Sequence, residues 1–312
     1  MKFFSSNSNF WAAALVIVGA ILFSTKAVVI KLAYQYPVDS ISLLSLRMLF
    51  ALPFFVGLAF LNFSKQPTAP IQRRDWWAML GVGVLGFYCA SYLDFLGLQY
   101  ISASLERMVL YVYPTLVLLL SALLFKKKIT RIQLAALLIT YVGIGLIFAG
   151  QSNPAGNSNI PLGALLVFGA ALTYAMYLVG SGQLLPRIGT RRFTAYSMMA
   201  AATVVLAHYG LTHGVGQLFE FSWQVYALAL FMAVFATFIP TLMISEGIRI
   251  LGANNAAIIG AIGPVSTIVL AYFFLNERLL PRQLLGTVIV IGGILVITLL
   301  NNRSKAIEKS EV

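Results

Sequence analysis

Apolar residues run along this chain in ten stretches, Phe10 to Ala33, Ile41 to Asn62, Trp76 to Leu98, Ala103 to Phe125, Ile132 to Gly150, Leu162 to Leu184, Phe193 to His213, Trp223 to Gly247, Asn255 to Leu275 and Leu284 to Leu300. Each is close to the roughly 20 residues that a helix needs, at about 1.5 Å per residue, to cross about 30 Å of hydrocarbon. The joins are short. The longest, near Phe63 to Asp75 and Gln151 to Pro161, carry the Pro, Asn, Ser and Gly expected of loops. No segment is left over for a soluble domain. The pattern therefore predicts an all-α integral membrane protein of ten transmembrane helices. Lys2 followed by the apolar run Trp11 to Phe23 imitates a signal peptide, but apolar character resumes after Lys26, so the run is read as a retained first helix.

The pattern also repeats. At a shift of 150 residues Pro114 falls on Pro264, Gln133 on Gln283, Leu134 on Leu284 and Gly143 on Gly293, while Gly97 falls on Gly247 and Ala103 on Ala253. The chain is expected to consist of two five-helix repeats, residues 1–155 and 156–312. Five is odd, so the second repeat enters the membrane with the opposite orientation. Such inverted repeats place a substrate site near the midplane between them.

Composition agrees with lipid as the solvent: 60% of the 312 residues are hydrophobic and 10% charged, where a soluble domain has about 25% charged. The net charge of +12 does not indicate nucleic acid, because the basic residues occupy short joins and form no single face. Their distribution sets the orientation instead. With the N-terminus inside, fifteen of the 21 Lys and Arg residues lie in cytoplasmic segments, among them Arg73, Arg74, Lys126 to Lys128, Arg187, Arg191 and Arg192. Only Lys31, Arg107, Arg278 and Arg282 lie outside, and Lys26 and Arg47 fall within helices. Both termini are thus expected in the cytoplasm. Cys89 is the single cysteine, which excludes an intramolecular disulfide or a cysteine metal cluster.

Ionisable groups inside a bilayer are functional candidates by default. Lys26, Arg47, Asp94, Glu106 and Arg107 all gather toward the outer third by residue count. They are expected to form an ionic cluster at the outer mouth, with Asp94, Glu106 and Arg107 as gate or coupling residues; the competing reading is a set of static ion pairs. Pro114 and Pro264 each interrupt a helix at matching places and, with Gly263, are candidate hinges. Tyr88, Tyr92, Tyr111, Tyr113, Tyr174 and Tyr177, together with Lys26 and Arg47, are candidate cavity residues, giving an apolar wall with hydroxyls that orient a ligand. Asn254 and Asn255 read as helix caps. No Walker sequence is present, so transport should draw on gradients, and no cofactor or metal is expected. His208 and His213, five apart, do not share a helix face, and no His-Glu-x-x-His pattern occurs, which argues against an intramembrane enzyme.

Three segments carry a family resemblance: Trp11 to Lys31 with its Ser24-Thr25-Lys26 break; Leu98-Gln99-Tyr100 leading into Ser102-Ala103-Ser104 and Tyr113-Pro114; and Phe274-Leu275-Asn276-Glu277-Arg278-Leu279. Together they resemble the EamA-type members of the drug/metabolite transporter superfamily over essentially the whole chain. The resemblance implies ten helices, a central cavity lined by helices 1, 3, 4, 6, 8 and 9, and export of amino acids or similar small metabolites. The first repeat departs from the pattern in having Lys127 where the second has Glu277. On this reading the partners are a small-molecule substrate and the lipid bilayer of a bacterial inner membrane. A lipid or drug flippase is the alternative within the same architecture. Oligomeric state is not legible.

Overall fold

The computed structural model describes residues 4–60, 71–101, 103–126, 128–148, 159–260, 262–263, 265–266, 269–270, 281–282, 285–286 and 288–293. Pro264, Glu277, Arg278, Ser102 and Lys127, singled out above, lie outside them. The described residues are helical with short turns and contain no strand. In hydrocarbon a helix satisfies every backbone donor and acceptor within its own segment, so apolar runs of this length have no other stable form.

The described residues form, in chain order, α1 Phe4–Ala33, α2 Ser40–Phe60, α3 Arg73–Tyr100, α4 Ala103–Leu110, α5 Tyr113–Phe125, α6 Arg131–Phe148, α7 Ile160–Ile188 and α8 Thr190–Thr212. They are followed by α9 Trp223–Leu251 and α10 Ala253–Gly260, with helical residues again at 288–293. Five stretches, Asn9–Ala33, Ser40–Phe60, Arg73–Tyr100, Ile160–Ile188 and Trp223–Leu251, are long and apolar enough to cross a membrane by themselves. The fourth apolar run is not one helix. It breaks at Tyr111–Val112, and Pro114 stands at the start of α5. Proline has no N–H to donate and its ring crowds the preceding turn, so the helix ends just before it and a new one begins. A turn recurs at Ile262, 150 residues beyond Val112.

Two further irregularities obey the same shift. Val84–Cys89 in α3 and Val234–Phe238 in α9 are wide turns in which the Ala90 N–H reaches back to Leu85 O and the Ile239 N–H to Val234 O. Each inserts an extra residue into a helical turn, a device common at functional sites.

Most of the described helix pairs correspond to one another at the same shift. α1 packs along the second half of α9 and the second half of α3 along α7; these two pairs exchange. α2 packs on α8 and α5 on α10. α6 meets the last described segment, where Gly143 lies against the Gly286 carbonyl and Val290, and Gly293 against Thr140. Small residues permit this closeness, since packing rather than water drives helix association in lipid. Gly97 sits against Val167 and the Gly163 carbonyl where α3 crosses α7, and its counterpart Gly247 sits against Val16 and the Ala12 carbonyl where α9 crosses α1.

Polar groups at opposite ends of the bundle tie the joins. At one end Arg187 pairs with Asp75 at 3.4 Å and the Arg191 Nε–H donates to Leu58 O at 2.7 Å. At the other, His213 Nε2 lies 3.1 Å from Asp39 Oδ2.

Candidate substrate cavity

A narrow cavity of about 50 Å³ opens among α1, α3, the α4–α5 break, α7, α9 and α10. Helical periodicity decides which side chains reach it. On α3 the lining residues Gly86, Ala90 and Asp94 recur every four positions, the spacing of one helix face, with Ser91 beside them. The small residues leave the space and Asp94 supplies the charge. α1 contributes Phe23, Ser24 and Lys26, the α4–α5 break Arg107, Tyr111 and Tyr113, and α7 Tyr174.

The charged residues expected at the outer mouth come together. Lys26 Nζ is 2.7 Å from Asp94 Oδ2, with both side chains buried. Arg107 Nε is 3.1 Å from Glu106 Oε2, again buried. Lys26 also lies 4.9 Å from the centre of the Phe23 ring. Arg47 does not line the cavity. It is buried behind it, with its guanidinium 5.1 Å from the centre of the Phe95 ring, an arrangement in which the ring face partly replaces a carboxylate partner. Lys31, one helical turn and a residue beyond Lys26, donates to Leu98 O at 2.6 Å. Buried ion pairs of this kind barely repay their desolvation, but losing one partner leaves an uncompensated charge.

Four tyrosines form a continuous aromatic wall. Tyr111 and Tyr113 have ring centres 5.7 Å apart, Tyr113 and Tyr174 meet edge to face at 5.3 Å, and Tyr174 stacks on Tyr177 at 5.8 Å. Tyr177 is the buried backing of this wall, packed against Gly86. The two tyrosines at the helix break reach across to the other half of the chain. Tyr113 Oη donates to Ala257 O at 3.2 Å, and the Tyr111 hydroxyl lies directly over Gly263, beside Ser24. Any side chain at Gly263 would occupy that hydroxyl's place.

Tyr88 and Tyr92 require a correction: they do not face the cavity. Each lies two residues beyond a lining position, Gly86 or Ala90, and two residues are about 200° of helix rotation, so they point to the opposite side. There they flank His208 of α8, whose ring centre is 5.9 Å from that of Tyr88 and 5.0 Å from that of Tyr92. Tyr88 Oη and His208 Nδ1 are hydrogen-bonded at 3.0 Å. His213 lies beyond the last residue of α8, outside helical periodicity, and so borders the same outer pocket as His208 despite the spacing of five. Asn254 and Asn255 do not cap a helix: both lie inside α10, whose first turn starts from the Gly252 carbonyl. Asn254 Oδ1 accepts from Ser121 Oγ at 2.7 Å and Asn255 Oδ1 from Gln133 Nε2 at 3.0 Å, tying α10 to α5 and α6. Among the described residues no three His, Cys, Asp or Glu side chains gather as a metal site would require.

Comparison with known proteins adds four findings. The profile of the EamA-like transporter family matches residues 10–149 and again residues 161–299. The chain is 33% identical over 299 residues to the uncharacterized transporter YcbK of Bacillus subtilis, covering 95% of this chain and 94% of that one. It is 22% identical over 289 residues to the uncharacterized inner membrane transporter YicL of Salmonella typhimurium, covering 92% and 95%. A solved crystal structure of a protein 18% identical in sequence superposes with a TM-score of 0.71 over 94% of this chain and 98% of the other, a similarity of fold.

Proposed function

Because this chain belongs to the EamA-like transporter family, we propose that it is a secondary transporter that moves a small metabolite, an amino acid or a compound like it, by alternating access, in the direction of export. A multi-pass membrane transporter follows from the family and from the apolar helices. The finer reading rests on one observation: the cavity lies where two sets of helices meet, and buried ion pairs line it. A cavity in a membrane protein that is both aromatic and charged suits a ligand that is itself part apolar and part ionic.

The reading takes residues 1–155 and 156–312 as inverted repeats of five helices, with both termini in the cytoplasm. The family profile matching twice, the helix pairs that exchange at a shift of 150, and the paired wide turns in α3 and α9 support it. The Salmonella relative's description as an inner membrane transporter supports the same location here. In this scheme Asp94, Glu106, Arg107 and Lys26 close the outer mouth, Tyr111, Tyr113 and Tyr174 contact substrate, Tyr177 supports them, and the break at Pro114 with Gly263 and Pro264 provides the hinge. The function is transport rather than catalysis: no step in it requires a nucleophile or metal.

Counterflow in vesicles tests this. Purified protein reconstituted with unlabelled amino acids, nucleosides or organic anions inside should take up one labelled class saturably. Tyr174→Ala should raise the half-saturating concentration by about tenfold, the equivalent of about 1.4 kcal/mol for a lost aromatic contact, while leaving the maximal rate nearly unchanged. Uptake of no water-soluble compound by folded protein would refute the proposal, and translocation of a labelled lipid analogue in its place would establish a flippase. A fusion of alkaline phosphatase to the C-terminus should be inactive in cells if that end is cytoplasmic; an active fusion would reverse the assigned orientation.

A further inference from the structure

Resting on the transporter reading, we propose that the substrate is an organic anion, a carboxylate on an apolar body, and that one edge of the Arg107 guanidinium is its anchor. Arg107 lines the cavity and is only 2% exposed. Its Nε–H and an N–H of Nη2 point along the same edge of the planar guanidinium, a fork that grips both oxygens of a carboxylate. Neither nitrogen has a hydrogen-bond partner among the described residues. Glu106 Oε2 stands 3.1 Å from Nε, yet makes no hydrogen bond there. The two residues are neighbours in one helix, and side chains at i and i+1 do not face each other, so Glu106 balances the charge without filling the fork. A buried guanidinium whose fork is unsatisfied on a cavity wall calls for an acceptor from outside the chain.

Charge balance selects the sign of the substrate. Among the described residues five ionisable side chains at or behind the cavity wall are 3% exposed or less: Lys26, Arg47 and Arg107 against Asp94 and Glu106. Three cations against two carboxylates leave one positive charge over. Lys26 pairs with Asp94 and Arg107 with Glu106, while Arg47 has the Phe95 ring where the others have a carboxylate. Protonation of either carboxyl would raise the excess, so titration of the carboxyls does not remove it. A net charge in a low-dielectric interior is costly, and a monoanion entering the cavity cancels it. A substrate cation would double it, and a zwitterion would leave it as it is. The two halves of the chain also line the cavity unequally. At the shift of 150 residues Asp94 corresponds to Ile244 and Arg107 to Ala257, and all four are lining residues. In an inverted repeat such counterparts lie at mirrored depths. The charged pair belongs to the outer side, so the carboxylate lies toward the outer mouth on Arg107 and the apolar body toward Ile244 and Ala257.

Isothermal titration calorimetry of the full-length protein in detergent tests this with compounds that share an apolar body and differ in one group. Phenylpropionate, indolepropionate and isocaproate are each compared with the amide, with the amine of the same body, and with the matching amino acid, phenylalanine, tryptophan or leucine. At neutral pH at least one carboxylate should bind about tenfold or more tightly than its amide and its amino acid, and no amine should bind. Arg107→Lys keeps the charge and loses the fork, and should weaken the carboxylate about tenfold while leaving the amide unchanged, a split that a purely structural role would not produce. Should that variant fail to fold, the wild-type order of carboxylate over amide and amine decides the matter. An amine or amide bound as tightly as its carboxylate, binding of none of the carboxylates, or an Arg107→Lys protein that binds the carboxylate like the wild type would each overturn the anion site. Counterflow in vesicles separates this from the parent reading. Saturable exchange of a labelled amine or neutral compound would keep the transporter and remove the anion, whereas exchange of no compound by folded protein would remove both.

Discussion

Lys26→Met should abolish transport and destabilise the folded protein by about 3–5 kcal/mol, the range found when one partner of a buried ion pair is removed. The ammonium is 2.7 Å from Asp94 Oδ2, and both groups are shielded from water. Its loss leaves the buried Asp94 carboxyl without its cation, and a carboxylate in such surroundings must either take up a proton or distort the packing to reach solvent. Removing both partners separates the two consequences. Lys26→Met with Asp94→Leu should recover most of the thermal stability in detergent, since apolar replacement of a buried pair is often neutral or better, and should remain without transport. If Lys26→Met alone is as stable and active as the wild type, the pair is neither a structural tie nor part of the mechanism.

The second large effect concerns backbone proximity. Gly83 on α3 faces α8 so closely that an added Cβ would lie 2.6 Å from Ser197 Cβ and 2.7 Å from its Cα and carbonyl oxygen. These neighbours are backbone or fixed to it, so no rotamer change relieves the contact and the helices must move apart. Gly83→Ala should cost about 1–3 kcal/mol, as overpacking typically does, and Gly83→Leu should prevent folding. Gly81, two residues earlier, has open space where its Cβ would be. Gly81→Ala should leave the melting temperature unchanged or raise it slightly through better helix propensity. The comparison isolates contact from propensity; equal melting temperatures for the Gly81 and Gly83 alanine variants would show that α3 and α8 are not packed as described.

The outline of this fold was readable because a bilayer imposes a severe rule on length. Runs such as Ser40–Phe60 and Trp223–Leu251 announce themselves, since no other structure buries so many apolar residues while satisfying the backbone. The break before Pro114 was equally legible from proline's missing donor. The intramembrane charges were identifiable one by one because each is costly, yet their partners were not: Lys26 and Asp94 are distant in sequence, and only the packing of α1 beside α3 brings them together. Tyr88 and Tyr92 show a different limit. Their spacing established that they share a helix face but not which face. Asp94 held the missing information, because a charged residue marks the wet side of a helix and both tyrosines lie well round from it. The wide turns at Val84–Cys89 and Val234–Phe238 carry no sequence signal beyond their spacing of 150.

Alternating access through this cavity is the claim on which the rest depends, and the reactivity of one thiol measures it. Ser91 is buried beside Asp94 on the cavity wall. With Cys89 replaced by alanine, Ser91→Cys can be offered a membrane-impermeant maleimide from either side, in right-side-out and inverted vesicles. The account predicts labelling from both sides, a shift in the ratio of the two rates when substrate is added, and a faster outer rate when Lys26→Met opens the outer cluster. Labelling from a single side, at a rate that neither substrate nor Lys26→Met alters, would contradict it.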